Sequence, residues 1–128
     1  MECHYLDFLV DGASLLGRLA QDDPNRDFVS CFTAEFPDLS AESRDCLLRN
    51  RDFSGLEPGR VPLYVCPECA AIGCGAYTVC VTRQEGGYLW SDFAYENGYD
   101  DARPCENIWS FFFEKREYEE FMRLAVFF

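Results

Sequence analysis

The sequence is poor in basic residues and has almost no histidine. Its 128 residues include one histidine, His4, and one lysine, Lys115, among 11 Lys and Arg residues. Hydrolases of the Ser-His-Asp and Cys-His types need a histidine as general base, so one residue alone could fill that role. The 23 acidic residues bring the formal charge to -12. Because nucleic acids and anionic membranes are bound through clustered Lys and Arg, we expect neither as a direct partner.

Long apolar segments are also missing. No run approaches the roughly 20 residues of a membrane-spanning helix. No basic and then apolar signal sequence opens the chain, so we expect a cytoplasmic location. In a reducing cytoplasm the eight cysteines would stay free thiols or bind a metal ion.

Apolar and aromatic residues are plentiful. Hydrophobic residues make up 48% of the chain and aromatic residues 16%, which is far above the content of a disordered acidic chain. A length of 128 residues is typical of one domain. We therefore expect residues 1–128 to form a single domain with an ordinary hydrophobic core.

The hydrophobic pattern predicts an α+β fold. The predicted strands cover residues 4–10, 61–66, 76–83, 88–95 and 108–113, the last as a central strand. The predicted helices are a short one through Leu15, Leu16 and Leu19, one announced by Pro37 and Ser40 that runs to about Asn50, and one from about Lys115. Residues 27–33 fit either a short strand or a helical turn. Short connections favour one mostly antiparallel sheet of five or six strands with about three helices, the last one C-terminal.

Three cysteines stand close together in a segment that contains two glycines: Cys66, Cys69 and Cys74. A Cys-x-x-Cys turn lets two thiolates reach one ion, and zinc prefers four such ligands in a tetrahedron. Three interpretations stay open: a structural zinc site, a disulfide or redox pair, and a tight bend whose thiols pack as core. The candidates for a fourth zinc ligand are Cys80, Cys105, Cys46, Cys3 and His4.

The same segment carries a resemblance to a known family. Val-Pro-Leu-Tyr-Val-Cys-Pro-Glu-Cys at 61–69 is followed by Gly-Cys-Gly at 73–75, and Trp-Ser-Asp-Phe stands at 90–93. Together with Asp-Gly-Ala-Ser-Leu at 11–15, these runs resemble a family of small uncharacterised bacterial proteins. The resemblance implies a single domain and carries no activity.

Residues 84–106 combine acidic with aromatic side chains. In a regularly alternating strand, the inward face would carry Leu89, Phe93 and Tyr95 and the outward face Tyr88, Trp90 and Asp92. Exposed aromatic residues beside carboxylates are typical of a protein interface. The predicted partner-binding residues are Tyr88, Trp90, Asp92, Glu96, Tyr99, Asp100 and Asp101. Alternatively, the aromatic residues belong to the core and the acidic residues only solvate a loop.

These observations favour binding over catalysis. The leading hypothesis is an acidic, non-catalytic protein that binds and masks a basic protein partner, as immunity proteins of bacterial nuclease toxins do. The alternative is a small structural-zinc or thiol protein organised by Cys66, Cys69 and Cys74, with one zinc or no cofactor. An enzyme with acidic residues in a cleft is the third hypothesis. The oligomeric state stays open, and an exposed Phe-Phe at 127–128 would indicate a dimer.

Overall fold

The computed structural model describes residues 8–10, 13–19, 28–106 and 108–124. The strands in these ranges are β1 (Leu9–Val10), β2 (Ala13–Ser14), β3 (Val29–Ser30), β4 (Arg60–Val65), β5 (Ala76–Gln84), β6 (Gly87–Glu96), β7 (Arg103–Pro104) and β8 (Phe111–Glu114). The helices are α1 (Leu15–Leu19), α2 (Pro37–Leu47) and α3 (Lys115–Leu124), with one 3₁₀ turn at Ile72–Cys74. The predictions for Cys3, His4 and Phe-Phe at 127–128 lie outside the described residues.

Six of the strands form one antiparallel sheet. Its order is β3-β4-β5-β6-β7, and β8 also pairs with β6. A two-residue turn, Glu85-Gly86, joins β5 to β6, and a positive φ of 85° at Gly86 suits a residue without a side chain. Strands β1 and β2 form a separate small ribbon. The predicted α+β fold, with five or six strands and a C-terminal third helix, is confirmed.

The core lies between this sheet and the helices α2 and α3. Cys46 and Leu47 of α2 are fully buried, and Tyr118 and Met122 of α3 are almost so. The spacing of four residues between Tyr118 and Met122 puts both on the same face of α3. Burial of a large apolar side chain contributes roughly 1.5–3 kcal/mol, so these helices are held mainly by packing on the sheet.

A β-bulge in β6 controls which side chains reach the core. Thr78 pairs with Ala94 and Cys80 with Ser91, so Val79 alone faces two residues, Asp92 and Phe93. Asp92 has a φ of 52°, a left-handed conformation that aspartate tolerates better than most residues. The extra residue reverses the alternation of the strand. Trp90 and Phe93 are consequently both buried on the same side.

Strand β8 is not the central strand that the pattern predicts. Within the described residues it pairs with β6 alone, and Trp109 just before it is 82% exposed. Phe112 is also exposed, with its ring over Gly87, where a Cβ atom would lie only 2.7 Å from Phe112 Cζ. The apolar run was misleading because its outward aromatic residues stay at the surface.

Helix α2 starts at Pro37, the first of the two residues, Pro37 and Ser40, from which this helix is predicted. Ser40 lies inside the helix, where its Oγ donates to the Cys31 carbonyl at 2.9 Å and accepts from the Thr33 amide at 3.1 Å. The chain leaves the helix before Asn50, because Arg49 adopts a left-handed φ of 61°. The undecided segment 27–33 contains the short strand β3, and of the first predicted strand only residues 9–10 are a described strand.

Candidate functional site

The aromatic residues that were predicted to anchor a partner are buried. Tyr88 is 2% exposed and Trp90 3% exposed. Trp90 Nε1 donates to the Tyr118 hydroxyl at 3.1 Å, and that hydroxyl donates to the Leu47 carbonyl at 2.7 Å. The Tyr88 hydroxyl donates to the Glu119 carboxylate at 2.8 Å. The predicted exposure of Tyr88 and Trp90 is wrong, because the bulge in β6 turns both toward the helices.

Four of the predicted acidic residues do lie together. An open groove of about 520 Å³ has these charged residues in its lining: Asp92, Glu96, Asp100, Asp101, Glu57 and Arg60. Glu57 and Arg60 stand some 30 to 40 positions earlier in the sequence, so no local pattern connects them with the others. We call this feature the acidic groove.

Arg60 is already engaged at the floor of the groove. Its guanidinium donates to the Glu96 carboxylate at 3.0 Å, to Thr78 Oγ1 at 2.8 Å and to the Asp92 carbonyl at 2.7 Å. Thr78 is fully buried and also donates to Glu96. Arg60 and Glu96 therefore compensate each other, and the remaining carboxylates of the groove give it its negative charge.

The acidic loop, residues 97–101, connects the groove with the cysteine segment. The Asn97 side chain accepts from the backbone amides of Tyr99 and Asp100 at 3.0 and 2.9 Å and donates to the Asp100 carboxylate at 3.2 Å. Tyr99 is 84% exposed, and its hydroxyl lies 3.3 Å from the Cβ position of Gly73. The predicted residue Tyr99 therefore stands against the cysteine segment.

The cysteine segment, residues 66–75, forms a compact loop between β4 and β5, which we call the knuckle. The amide of Ala70 donates to the Cys66 carbonyl at 2.9 Å, and the 3₁₀ turn follows at once. Gly75 closes the loop with a φ of 97°. A Cβ atom at Gly75 would overlap the Tyr95 hydroxyl, so only glycine fits there.

The knuckle brings its three sulfur atoms together. Cys66, Cys69 and Cys74 have Sγ atoms that all lie within 4.8 Å of one another, and the group could hold a metal ion. Cys69 and Cys74 are joined as a disulfide, with Cα atoms 7.2 Å apart, and Cys66 is a free thiol. Cys66 is half-buried, whereas Cys69 and Cys74 are exposed. The predicted grouping of these three cysteines is thus present.

The other described candidates for a fourth ligand do not join the group. Cys46 is buried on the inner face of α2, and the sulfur of Cys80 lies beside Gly59, 3.6 Å from where a Cβ would stand. Cys105 donates its amide to the Phe93 carbonyl at 2.8 Å. Burial raises the pKa of Cys46 to about 11 and also raises the pKa of Cys105.

Comparison with protein-family models, with curated proteins and with solved structures finds no match to this chain. The resemblance to a bacterial family stays a prediction. Of the helices in the described ranges, none has both the length and the apolar character required to cross a membrane. The knuckle and the acidic groove are therefore the features from which a function can be inferred.

Proposed function

We propose that this protein binds one Zn²⁺ ion through Cys66, Cys69 and Cys74, and that the ion organises the knuckle. One observation carries the proposal: the three Sγ atoms lie within 4.8 Å of one another. In a tetrahedral site with Zn–S bonds of ~2.3 Å, the sulfur atoms stand roughly 3.8 Å apart. After reduction of the Cys69–Cys74 disulfide, small side-chain rotations would be enough to bring the three sulfur atoms to this spacing.

The backbone spacing of Cys69 and Cys74 supports two separate ligands. Their Cα atoms are 7.2 Å apart, whereas residues joined by disulfides usually have Cα atoms ~4.4–6.8 Å apart. When both residues are reduced, two thiolates and the neighbouring Cys66 thiolate offer the soft donors that zinc prefers.

The fourth coordination position has three chemically reasonable occupants. A water molecule is one, because zinc sites with three protein ligands commonly keep an open position. Cys3 or His4, which lie outside the described residues, is the second. A side chain of a partner protein is the third. Cobalt substitution distinguishes a fourth thiolate from an oxygen or nitrogen ligand, because the absorption spectrum of bound Co²⁺ depends on the number of thiolate ligands.

A zinc ion in the knuckle would also support the acidic loop. Gly98 of that loop lies against Ile72, whose Cγ2 is 3.8 Å from the Cβ position of Gly98, and Tyr99 contacts Gly73. Tyr95, at the end of β6, closes over Gly75. Since these contacts join the knuckle to the acidic loop, an ion that fixes the knuckle would restrict the loop as well.

The test is the metal content of protein purified under reducing conditions from zinc-supplemented cells. We expect about one zinc per chain in the wild type and in the control Cys80→Ser, and loss of the metal in Cys69→Ser. Cys80 is a suitable control because it is a half-buried cysteine outside the group. A reduced wild-type protein that stays free of zinc would contradict the proposal.

A second function is supported by the acidic groove. We infer that the groove binds a basic segment of a protein partner, in the manner of an immunity protein that masks a basic toxin. Asp92, Asp100 and Asp101 line it together with Glu57, and the arginine in the lining is tied to Glu96. Such a concentration of negative charge accelerates association with a basic partner and makes it sensitive to salt.

The partner hypothesis is tested by capture from host lysate at low and high salt. The double variant Asp100→Asn, Asp101→Asn removes two charges from the groove. The charge-matched control Asp38→Asn, Glu85→Gln removes two exposed charges elsewhere. We expect a basic protein that the wild type and the control capture at low salt and the groove variant loses. Equal capture by both variants would refute this function.

A further inference from the structure

A second cavity has the opposite charge from the acidic groove. Its volume is about 530 Å³, and three arginines line it: Arg44 of α2, Arg83 of β5 and Arg123 of α3. Among its described lining residues, Glu119 is the one acid, and its carboxylate accepts a hydrogen bond from Tyr88 at 2.8 Å. Arg123 also forms an exposed ion pair with Glu120 at 3.5 Å, so three arginines face two nearby carboxylates, a local positive excess in a chain with a formal charge of -12.

We propose that this arginine cavity binds a phosphate group, supplied by free phosphate or by a small phosphate ester. A guanidinium group presents a planar fork of donors that matches phosphate oxygens and stays charged at every physiological pH. The Asn50 amide, which also lines the cavity, adds a neutral donor of the kind that phosphate accepts. The proposal is independent of zinc in the knuckle and of a partner in the acidic groove.

Two of the three arginines have a structural explanation as well. Arg44 and Arg123 stand in the last turns of α2 and α3, where a cation complements the helix dipole whatever the function. Arg83 has no such explanation, since it lies at the exposed end of β5. Substitution of Arg83 therefore tests whether the cavity is a binding site or only the place where the C-terminal ends of two helices meet.

The position of Arg83 is supported by a fixed platform. Its guanidinium carbon lies 5.7 Å from the centroid of the Tyr88 ring, within the range of a cation–π interaction. Tyr88 is itself buried, and its ring stacks on Tyr118 with a centroid distance of 4.2 Å. A guanidinium held over a rigid ring loses less conformational freedom when a ligand binds.

The size of the cavity favours an ester over a bare ion. Pockets for small molecules commonly measure ~300–1,000 Å³, and this cavity, at about 530 Å³, falls within that range. The half-buried Leu48 contributes apolar surface to the lining. An organic group attached to the phosphate could pack there, so we expect a phosphate ester to bind more tightly than inorganic phosphate.

The test is a titration of ¹⁵N-labelled protein, followed by amide chemical shifts, with inorganic phosphate and separately with a nucleoside monophosphate. Sodium chloride at matched ionic strength is the reference. We expect phosphate-specific shifts at residues 44–50, 83, 88 and 119–123. Arg83→Gln should weaken binding roughly fivefold or more, because one charged fork is lost.

Arg103→Gln is the matched control. Arg103 is also an exposed arginine over a tyrosine ring, with its guanidinium carbon 5.0 Å from the Tyr95 centroid, but it does not line the cavity. We expect it to bind phosphate like the wild type. If the nucleoside monophosphate binds more tightly than inorganic phosphate, the natural ligand is a phosphate ester. If the two bind with equal affinity, the ligand is free phosphate. Shifts that sodium chloride reproduces, or equal weakening by Arg83→Gln and Arg103→Gln, would overturn the proposal.

Discussion

The core and the knuckle contain the same reactive residue type in opposite surroundings. Cys31, which follows β3, and Cys46, on the inner face of α2, are fully buried. Cys69 and Cys74 are exposed on a loop that carries a third sulfur, that of Cys66, within 4.8 Å. Both regions are rich in sulfur, but only the knuckle combines access to solvent with several sulfur atoms at the distance of metal ligands.

Burial accounts for the chemical difference. Removal from water raises the pKa of the Cys31 thiol to about 12, which keeps it neutral and makes it a small apolar side chain. The tyrosines divide in the same way: burial raises the pKa of Tyr118, whereas Tyr99 projects into solvent. In this protein, the surroundings of a residue therefore indicate whether it is a functional group, and the residue type alone does not.

The largest expected difference between the two regions is in thiol reactivity. In reduced, metal-free protein at pH 8, we expect iodoacetamide to modify Cys69 and Cys74 roughly 10³-fold faster than Cys31. A buried thiol reacts only when the structure opens, and core opening costs several kcal/mol. Peptide mapping by mass spectrometry gives the rate at each residue. The comparison fails if Cys31 reacts as fast as Cys69.

The same modification rates, measured with zinc present, test whether the knuckle cysteines bind the metal. Bound metal should slow the modification of the knuckle cysteines while leaving the rates at Cys80 and Cys105 unchanged, because those two lie outside the group. If zinc slowed all the exposed and half-buried cysteines equally, the protection would come from a general change in the protein and not from ligation.

A smaller effect distinguishes buried from exposed tyrosines. Tyr118→Phe removes the hydroxyl that accepts from Trp90 and donates to the Leu47 carbonyl, and it leaves both buried partners unsatisfied. We expect a loss of about 2 kcal/mol in the free energy of unfolding. Tyr99→Phe, at an exposed hydroxyl, should change it by less than about 0.5 kcal/mol. Urea unfolding followed by tryptophan fluorescence measures both, and equal losses would contradict the distinction.

The fold was predictable where a whole face of an element is buried. Strands β4, β5 and β6 alternate or run apolar over six to ten residues, and α3 repeats its apolar positions at helical spacing, so local pattern was sufficient. Which face of β6 is buried was not predictable, because one extra residue at Asp92 reverses the alternation of its side chains. An alternating pattern of apolar and polar residues does not predict where a β-bulge will occur.

The site was predictable only to the extent that it is local. Cys66, Cys69 and Cys74 come together within nine residues of chain, so their spacing already indicated the group. The acidic groove also needs Glu57 and Arg60, which sheet pairing brings to the distant acidic loop. The arginine cavity was not predictable from the sequence, because its three arginines come from α2, β5 and α3, which become neighbours only through tertiary packing.

The last expected effect is a dependence of stability on alkaline pH, which is smaller per pH unit than the loss expected for Tyr118→Phe. The ordinary pKa of a cysteine is 9.0, and that of Cys31 in the folded protein is about 12. Between these values the unfolded chain releases a proton that the folded protein keeps. The contribution of Cys31 to stability is therefore complete below pH 9 and is lost as the pH rises toward 12, by about 1 kcal/mol per pH unit.

Cys31→Ala isolates this single proton from the other groups with raised pKa values. The raised pKa values of Cys46 and Tyr118 also lower the stability of the protein at high pH, and because burial is their main cause, these contributions largely remain in the variant. We expect urea unfolding between pH 9 and 11 to give a shallower slope for Cys31→Ala. The control Val79→Ala, which also removes buried volume, should lower stability and keep the wild-type slope. An unchanged slope in Cys31→Ala would mean that water reaches Cys31, and the contrast between core and knuckle would then rest on metal geometry alone.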